Sequence, residues 1–356
     1  AAFRFNPRVA VRPEDLPAFL ADRANQIYVK RESMARFSPD SLSLMEFQTA
    51  QDYTIAEKIY DDHPQLGQQV PGAWNVKFHA EFHMTNDRHL FRAAPVGTPF
   101  LASDAANVDE SGANRTARMP SLPLYEGKMF HQYDAFFAPP QYWIQEDEGR
   151  KSILGRTADT GQTLDYQRPR LVFRDVSNAT NERTLIAAVV PSLVFCNNKA
   201  PTLTLSLYDA ATMLYICGML NSFAEDWLIR HKVSMTLNWF YVASLPLPRL
   251  MPGNRFFDAI VPRAARLVCT RPEYADLWRE VMGSEWTSPL NPLSVYREGT
   301  SRAVEAASDS PSPRAERGLG GEVSALRPAA DPADRARLRA EIDGLVAHVY
   351  GLSEAE

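Results

Sequence analysis

Cysteine is scarce in this chain of 356 residues: Cys196, Cys217 and Cys269 are all it has. They stand far apart among apolar neighbours. That spacing supports neither a disulfide framework nor a paired-cysteine zinc site, and it predicts reduced, buried thiols of a cytoplasmic protein. No uncharged apolar run approaches the roughly 18 residues needed to cross a bilayer, so no membrane-spanning helix is expected. No signal peptide opens the chain. Glycine is also sparse, 17 residues in all, and nowhere does it form a phosphate-cradling loop or a Gly-x-Ser-x-Gly nucleophile elbow. No sign of charge dominates: the net charge is -5, which argues against a protein that coats nucleic acid indiscriminately. It leaves room for local binding, because the local field steers a phosphate backbone.

What is present is ordinary for a globular protein, with 45% hydrophobic and 23% charged residues. The length suggests two or three compact units. The stretch most worth attention is 171–199. Leu171 and Phe173 alternate with their neighbours, as in a half-buried strand, and Leu185 to Val190 is a continuous apolar run closed by Pro191, as in a buried one. Between them lies a polar loop, Asp175 to Thr184. Arg174, Asn178, Asn181, Arg183 and Thr184 there can meet a planar, acceptor-rich partner: Arg forks onto guanine, Asn pairs with adenine, and both hold phosphate. The competing structural reading is an Asn/Asp-rich turn that bonds its own backbone. Residues 166–200 are locally basic, with Arg168, Arg170, Arg174, Arg183 and Lys199 against Asp175 and Glu182. Asn197, Asn198 and Lys199 close the stretch.

Elsewhere the pattern predicts a helix opened by Asp15, Leu16 and Pro17 with Phe19, Leu20 and Ile27 on its buried side. A short strand is expected near Phe47. Asp52 is expected to cap a helix carrying Ile55, Ala56, Ile59 and Tyr60, and Trp74, Val76 and Phe78 alternate as a strand. Residues 95–120 and 300–332 read as a surface loop and a linker. The Glu126-Gly127 step suggests a turn that leaves Lys128, His131 and Gln132 exposed. Residues 145–165 read as an exposed connection. One long helix, Leu207 to Lys232, is predicted with a capping box at Ser206 and Asp209. Leu237 to Pro248 reads as extended, Phe256 to Val268 and Pro272 to Met282 as short amphipathic helices, and Pro332 to Tyr350 as a last helix capped by Asp331 and stopped by Gly351. His79 and His83 are four apart, a helix-face metal spacing. The sharper motif needs Glu directly after the first His, and Ala80 stands there, so no metal site is expected.

Several segments together resemble the C-terminal half of the large bacterial adenine-N6 DNA methyltransferases of type IIG restriction-modification and of phage-defence systems such as BREX and DISARM. They are WNVKFHAEFHMTNDRHLF (74–91), LPLYEGKMFHQYDAFF (122–137), YQRPRLVFRDVSNATNERTLIAAVVP (166–191), LNSFAEDWLIRHKVSMTLNWFYVASLPLP (220–248) and EIDGLVAHVYGLSEAE (341–356). The resemblance implies an α/β (α+β) fold: a mixed-sheet DNA target recognition domain over 71–250, flanked by helices. It would be preceded by a connecting segment over 1–70 and followed by a helical segment (251–299), a flexible linker (300–331) and a C-terminal helix (332–356).

By matching position, the resemblance also implies that Tyr125, Lys128, His131 and Gln132 lie at or near the DNA-facing surface, and that Asn181 to Thr184 is a family signature. Double-stranded DNA is the implied partner, together with other subunits of a restriction or defence system. The family's glycine-rich S-adenosylmethionine site and its Asn-Pro-Pro-aromatic motif are missing here. Asn6-Pro7 and Asn291-Pro292 lack the second proline and the aromatic. No cofactor is therefore expected in this chain, and S-adenosylmethionine belongs to a catalytic half that precedes it. A first residue that is not Met, and a family pattern that continues past Glu356, lead us to expect a piece of a longer protein. Two rival functions are a metal-dependent nuclease built on His79 and His83, and an interaction module that docks the 207–232 or the C-terminal helix on a partner subunit.

Overall fold

The computed structural model describes residues 2–5, 11–39, 42, 44–61, 63–93, 121–233, 236–289 and 327–356. The expected loop over 95–120 and nearly all of the 300–332 linker lie outside them. The fold is α/β (α+β), with antiparallel and mixed sheets, flanking helices and a C-terminal helix. No helix of the described residues is long and apolar enough to cross a membrane.

Strands β1 (Ala2–Phe5) and β2 (Gln26–Val29) form an antiparallel ribbon. β3 (Val76–His79), β7 (Arg170–Phe173), β8 (Ala187–Val190) and β10 (Thr202–Leu205) make an antiparallel sheet in the order β3-β10-β7-β8. β4 (Arg92–Ala93), β5 (Ser121–Tyr125), β6 (Tyr142–Gln145) and β9 (Phe195–Cys196) make a second sheet in the order β4-β6-β5-β9, with β5 and β9 parallel. The strand expected at Leu171 and Phe173 forms, but all four residues of β7 are buried, not alternate ones. β7 is an interior strand covered on both faces, so it has no solvent side.

The helices are α1 (Leu16–Ala21), α2 (Arg31–Phe37), α3 (Ala50–Asp61), α4 (Glu146–Leu154), α5 (Ala210–Leu220), α6 (Phe223–Arg230), α7 (Trp239–Ala243), α8 (Arg255–Val268), α9 (Ala275–Met282) and α10 (Pro332–Val349). α5 lies at the centre. It is buried nearly all round, against β7 and β8 on one side and α8 on the other, and α10 crosses α8. Gly218 permits the α5–α8 approach: a Cβ there would come within 2.7 Å of the Ile260 side chain. One continuous core takes in side chains from Ile27 to Tyr350, and a smaller one gathers Phe82, Leu122, Leu124, Ile144, Tyr166 and Phe195 under the second sheet.

Several local expectations are corrected. α1 buries nothing, and Ile27 belongs to β2. Residues 44–47 carry no strand. Thr49 caps α3, its Oγ1 accepting from Asp52 N (3.1 Å) while Asp52 accepts from Thr49 N (2.8 Å), so Asp52 closes a capping box from inside the helix. The expected connection after residue 145 begins with a helix, α4, whose Gly149 lies flat against the Phe195 ring. Leu237 to Pro248 begins as α7, not as a strand.

The long 207–232 helix is two helices. Asp209, accepting from Thr212 N (3.0 Å), caps the first, and Ser222 caps the second by accepting from Glu225 N (3.4 Å). The chain breaks at Asn221 because that side chain serves the sheet. Its Oδ1 accepts from Ala187 N (3.0 Å) and its Nδ2 donates to Ala187 O (2.9 Å), which satisfies the open edge of β8.

Candidate functional site: a basic, aromatic cleft

The polar loop 175–184 is held from behind by α6. Asp226 Oδ1 accepts from Thr184 N (2.7 Å) and Leu185 N (2.8 Å). Arg230, paired with Asp226 at 2.8 Å, donates to Ala179 O (3.0 Å) and Glu182 O (2.5 Å). Thr184 is fully buried, and its hydroxyl donates to Asn178 O (3.1 Å). Asn178 caps its own turn by accepting from Thr180 N (3.0 Å), the self-bonding turn weighed above. Asn181 is exposed, and Arg183 lies half-buried over the Phe223 ring, 4.2 Å from its centroid.

The exposure expected of other candidates is corrected. Arg174 donates to Gly127 O (2.7 Å) and to Phe130 O, so its guanidinium braces the 127–130 turn and is not free for phosphate. Tyr125 and Gln132 are buried, Gln132 donating to Asn221 O (3.1 Å). Both face the core because the chain after β5 turns inward under the sheet edge, where Tyr133 N reaches Ala187 O. His131 is half-buried beside Phe137, and burial, then Arg174, lowers its pKa. Lys128 is exposed and donates to Gln141 Oε1 (2.7 Å). Arg168 lies over Tyr208 (5.3 Å to the centroid), in a shallow depression that also holds Glu273, Asp276 and Glu280. His79 sits on β3, whereas His83 sits in a turn where its Nδ1 accepts from Thr85 N (3.3 Å), so no helix face joins them. Among the described residues, no three His, Cys, Asp or Glu side chains come together as a metal site.

Of the residues expected to contact DNA, Asn198 and Lys199 alone open into a cleft of about 1110 Å³ among the described residues, which His79 also lines. Its walls come from several segments far apart in the chain. α2 and α3 supply Arg36 and Tyr60, and β3 supplies Lys77, Phe78 and His79. The turn before β10 supplies Asn198 and Lys199, and α7 supplies Trp239 and Phe240. The walls are fixed by backbone bonds: Leu237 N donates to Asp175 O (2.8 Å), Leu66 N to Leu245 O (2.7 Å) and Gly67 N to Ala243 O (2.8 Å). Gly67 is needed at that crossing, since a Cβ would meet the Ala243 Cβ at 2.8 Å.

Arg36 pairs with Asp61, and Lys199 pairs with Asp175 at 2.8 Å. Lys77 is exposed and has no ion pair among the described residues. Among the described residues, Asp175 is the one acid lining the cleft, against these three cations. Asn198 Oδ1 accepts from Met84 N (3.2 Å), which fixes its amide. Trp239 is 56% exposed and Phe240 42%, and Trp239 lies 5.9 Å from Phe78 at 38°. Open aromatic faces beside cations and side-chain amides can hold planar rings that carry phosphate.

Sequence reasoning missed Lys77, Trp239 and Phe240 as surface groups. The Trp-Phe-Tyr run at 239–241 is the available signal, but it lies inside the segment that reads as extended. It also missed the buried pair of Arg170 with Glu81. Glu81 accepts from Cys196 N (2.8 Å) as well, and Arg170 donates to Val194 O (2.5 Å), so the pair ties the two sheets together. An arginine inside an apolar strand was the sign that a buried partner must exist.

The cleft does not suit S-adenosylmethionine. Its sheet is antiparallel, and among the described residues no glycine-rich strand-to-helix turn opens onto it. No protein-family model and no curated protein matches the chain.

Proposed function

We propose that the chain is the DNA-recognition part of an adenine-N6 DNA methyltransferase from a restriction or phage-defence system. It holds duplex DNA while a separate catalytic portion carries the methyl donor. The observation that carries the reading is the cleft: an open, cation-rimmed cavity into which Asn198 and Lys199 project beside an unpaired Lys77. At about 1110 Å³ it is at or above the usual range for a small-ligand pocket, roughly 300–1,000 Å³, and it suits a segment of polymer. The resemblance of the five segments supplies the reaction class.

The test is duplex binding measured over a range of salt. Lys77→Ala together with Lys199→Ala is expected to weaken binding and to reduce the log–log salt slope by about two, near 0.9 per lost phosphate contact. Arg174→Ala is expected to leave the slope alone, because that guanidinium is committed to backbone carbonyls. An unchanged slope in the double lysine variant refutes the reading of the cleft as the DNA contact.

A further inference from the structure

We infer that the Trp239–Phe240 face of the cleft is a stacking seat for an unpaired nucleobase, so that the cleft takes single-stranded or locally opened DNA in preference to a closed duplex. The inference rests on the reading above for the polymer and goes beyond it in the form of the polymer.

Large aromatic side chains are normally buried, because hiding a ring of 150–250 Å² from water is strongly favourable. The core of this protein follows that rule, with Phe37, Phe47, Phe82, Phe130, Phe173 and Phe195 all under 2% exposed. Trp239 and Phe240 break it side by side, inside a concavity, on a five-residue helix that backbone bonds hold at both ends. Phe78 backs Trp239 from the sheet, so the indole is held in place while its outer face stays open.

What surrounds the rings is polar. Lys77 stands one residue before Phe78 on the same strand, and Lys199 and Asn198 border the same cavity with Asn238 and His79. A base stacks on any π-face with little regard to its identity, and a cation nearby takes its phosphate. In a closed duplex the base faces are already covered by their neighbours, so the two rings would have nothing to stack on. An apolar peptide would satisfy the rings and leave Lys77 without a counter-charge, so nucleic acid is the better match.

The test uses the intact chain and three fluorescent DNA probes: a fully paired 20-mer duplex, the same duplex with one unpaired central adenine, and a single-stranded 12-mer. The wild type is expected to bind the interrupted duplex and the single strand about tenfold or more tightly than the paired duplex, the scale of one stacked base. Trp239→Ala is expected to bring the ratio close to one, and Trp239→Phe, which keeps a ring, to preserve most of it. A wild-type ratio of one, or a ratio that survives Trp239→Ala, overturns the inference and leaves duplex recognition standing. Binding of the single strand that depends on Trp239, with no binding of the paired duplex, upholds the inference and removes the duplex-reader reading. Binding of none of the probes overturns both.

Discussion

Replacing Glu225 by Gln should make the protein more stable at high pH and leave it nearly unchanged at low pH. Glu225 is completely buried on α6, and burial pushes its pKa up to about 8 despite the Tyr350 phenol and the Lys232 ammonium, which favour the charged form. The hydrogen bonds agree. Tyr350 has one phenolic hydrogen and two oxygen partners, Glu225 Oε1 and Pro246 O, the latter at 2.8 Å. Both contacts are satisfied at once if the phenol donates to Pro246 O and the carboxyl, protonated, donates to the phenol.

In the unfolded chain Glu225 ionises near its ordinary value of 4.5. Between there and about 8 the folded state holds a proton that the unfolded state has lost, so this group's contribution to stability falls as pH rises. Each unit of separation is worth about 1.4 kcal/mol. The loss approaches about 5 kcal/mol at most by pH 8.5. Gln carries no such term.

Urea unfolding of both proteins at pH 5, 6.5 and 8.5 reads the difference directly. The variant should match the wild type within about 1 kcal/mol at pH 5 and exceed it by up to about 5 kcal/mol at pH 8.5. A difference that is the same at all three values refutes a proton held on Glu225. Lys232 runs the other way. Burial lowers its pKa to about 7, so its contribution to stability recovers as pH rises from about 7 towards 10.5. Each of the two groups shifts the other's titration, so the difference between variant and wild type reads the Glu225–Lys232 pair together.

Two further outcomes follow from the buried polar groups. Asn221→Ala removes the acceptor that closes Ala187 N at the edge of β8, while Ala187 O keeps its bond from Tyr133 N (3.1 Å), and should cost about 1–3 kcal/mol by chemical denaturation, the penalty of one unsatisfied buried group; a loss under about 0.5 kcal/mol would mean that the sheet edge finds another partner. Glu81→Ala leaves Arg170 charged and alone in the core and should cost about 3–5 kcal/mol. Glu81→Met with Arg170→Met should recover most of that loss, and a double variant as unstable as the single one would show that the pair matters for more than its charge.

How much was legible from the sequence differs from element to element. α10 was, because Leu338, Ile342 and Val346 repeat at helical spacing between Asp331, which accepts from Asp334 N at 2.9 Å, and Gly351, at φ 64°. α8, α9 and β8 were legible for the same reason: local spacing and local punctuation define them. The three thiols are buried and free, as their apolar neighbours implied. The 207–232 segment was misread because its apolar spacing continues unbroken through Asn221, while the reason for the break, Ala187, lies 34 residues away. The same holds for Arg174. An arginine in a polar loop looks available to phosphate, and only folding brings the carbonyls of Gly127 and Phe130 to it.

The sequence by itself determined the elements that local spacing and local caps define, α8, α9, α10 and β8, the burial of the three cysteines, and that polar and cationic groups crowd residues 166–200. Tertiary structure alone decided which of those groups brace the backbone and which reach solvent, and it alone brought β3, α7 and the Asn198–Lys199 turn around one cavity. The physical reason is that periodicity records how a segment meets water, one segment at a time. A buried polar atom's partner and an exposed ring's neighbours are set by chain crossings far apart in sequence.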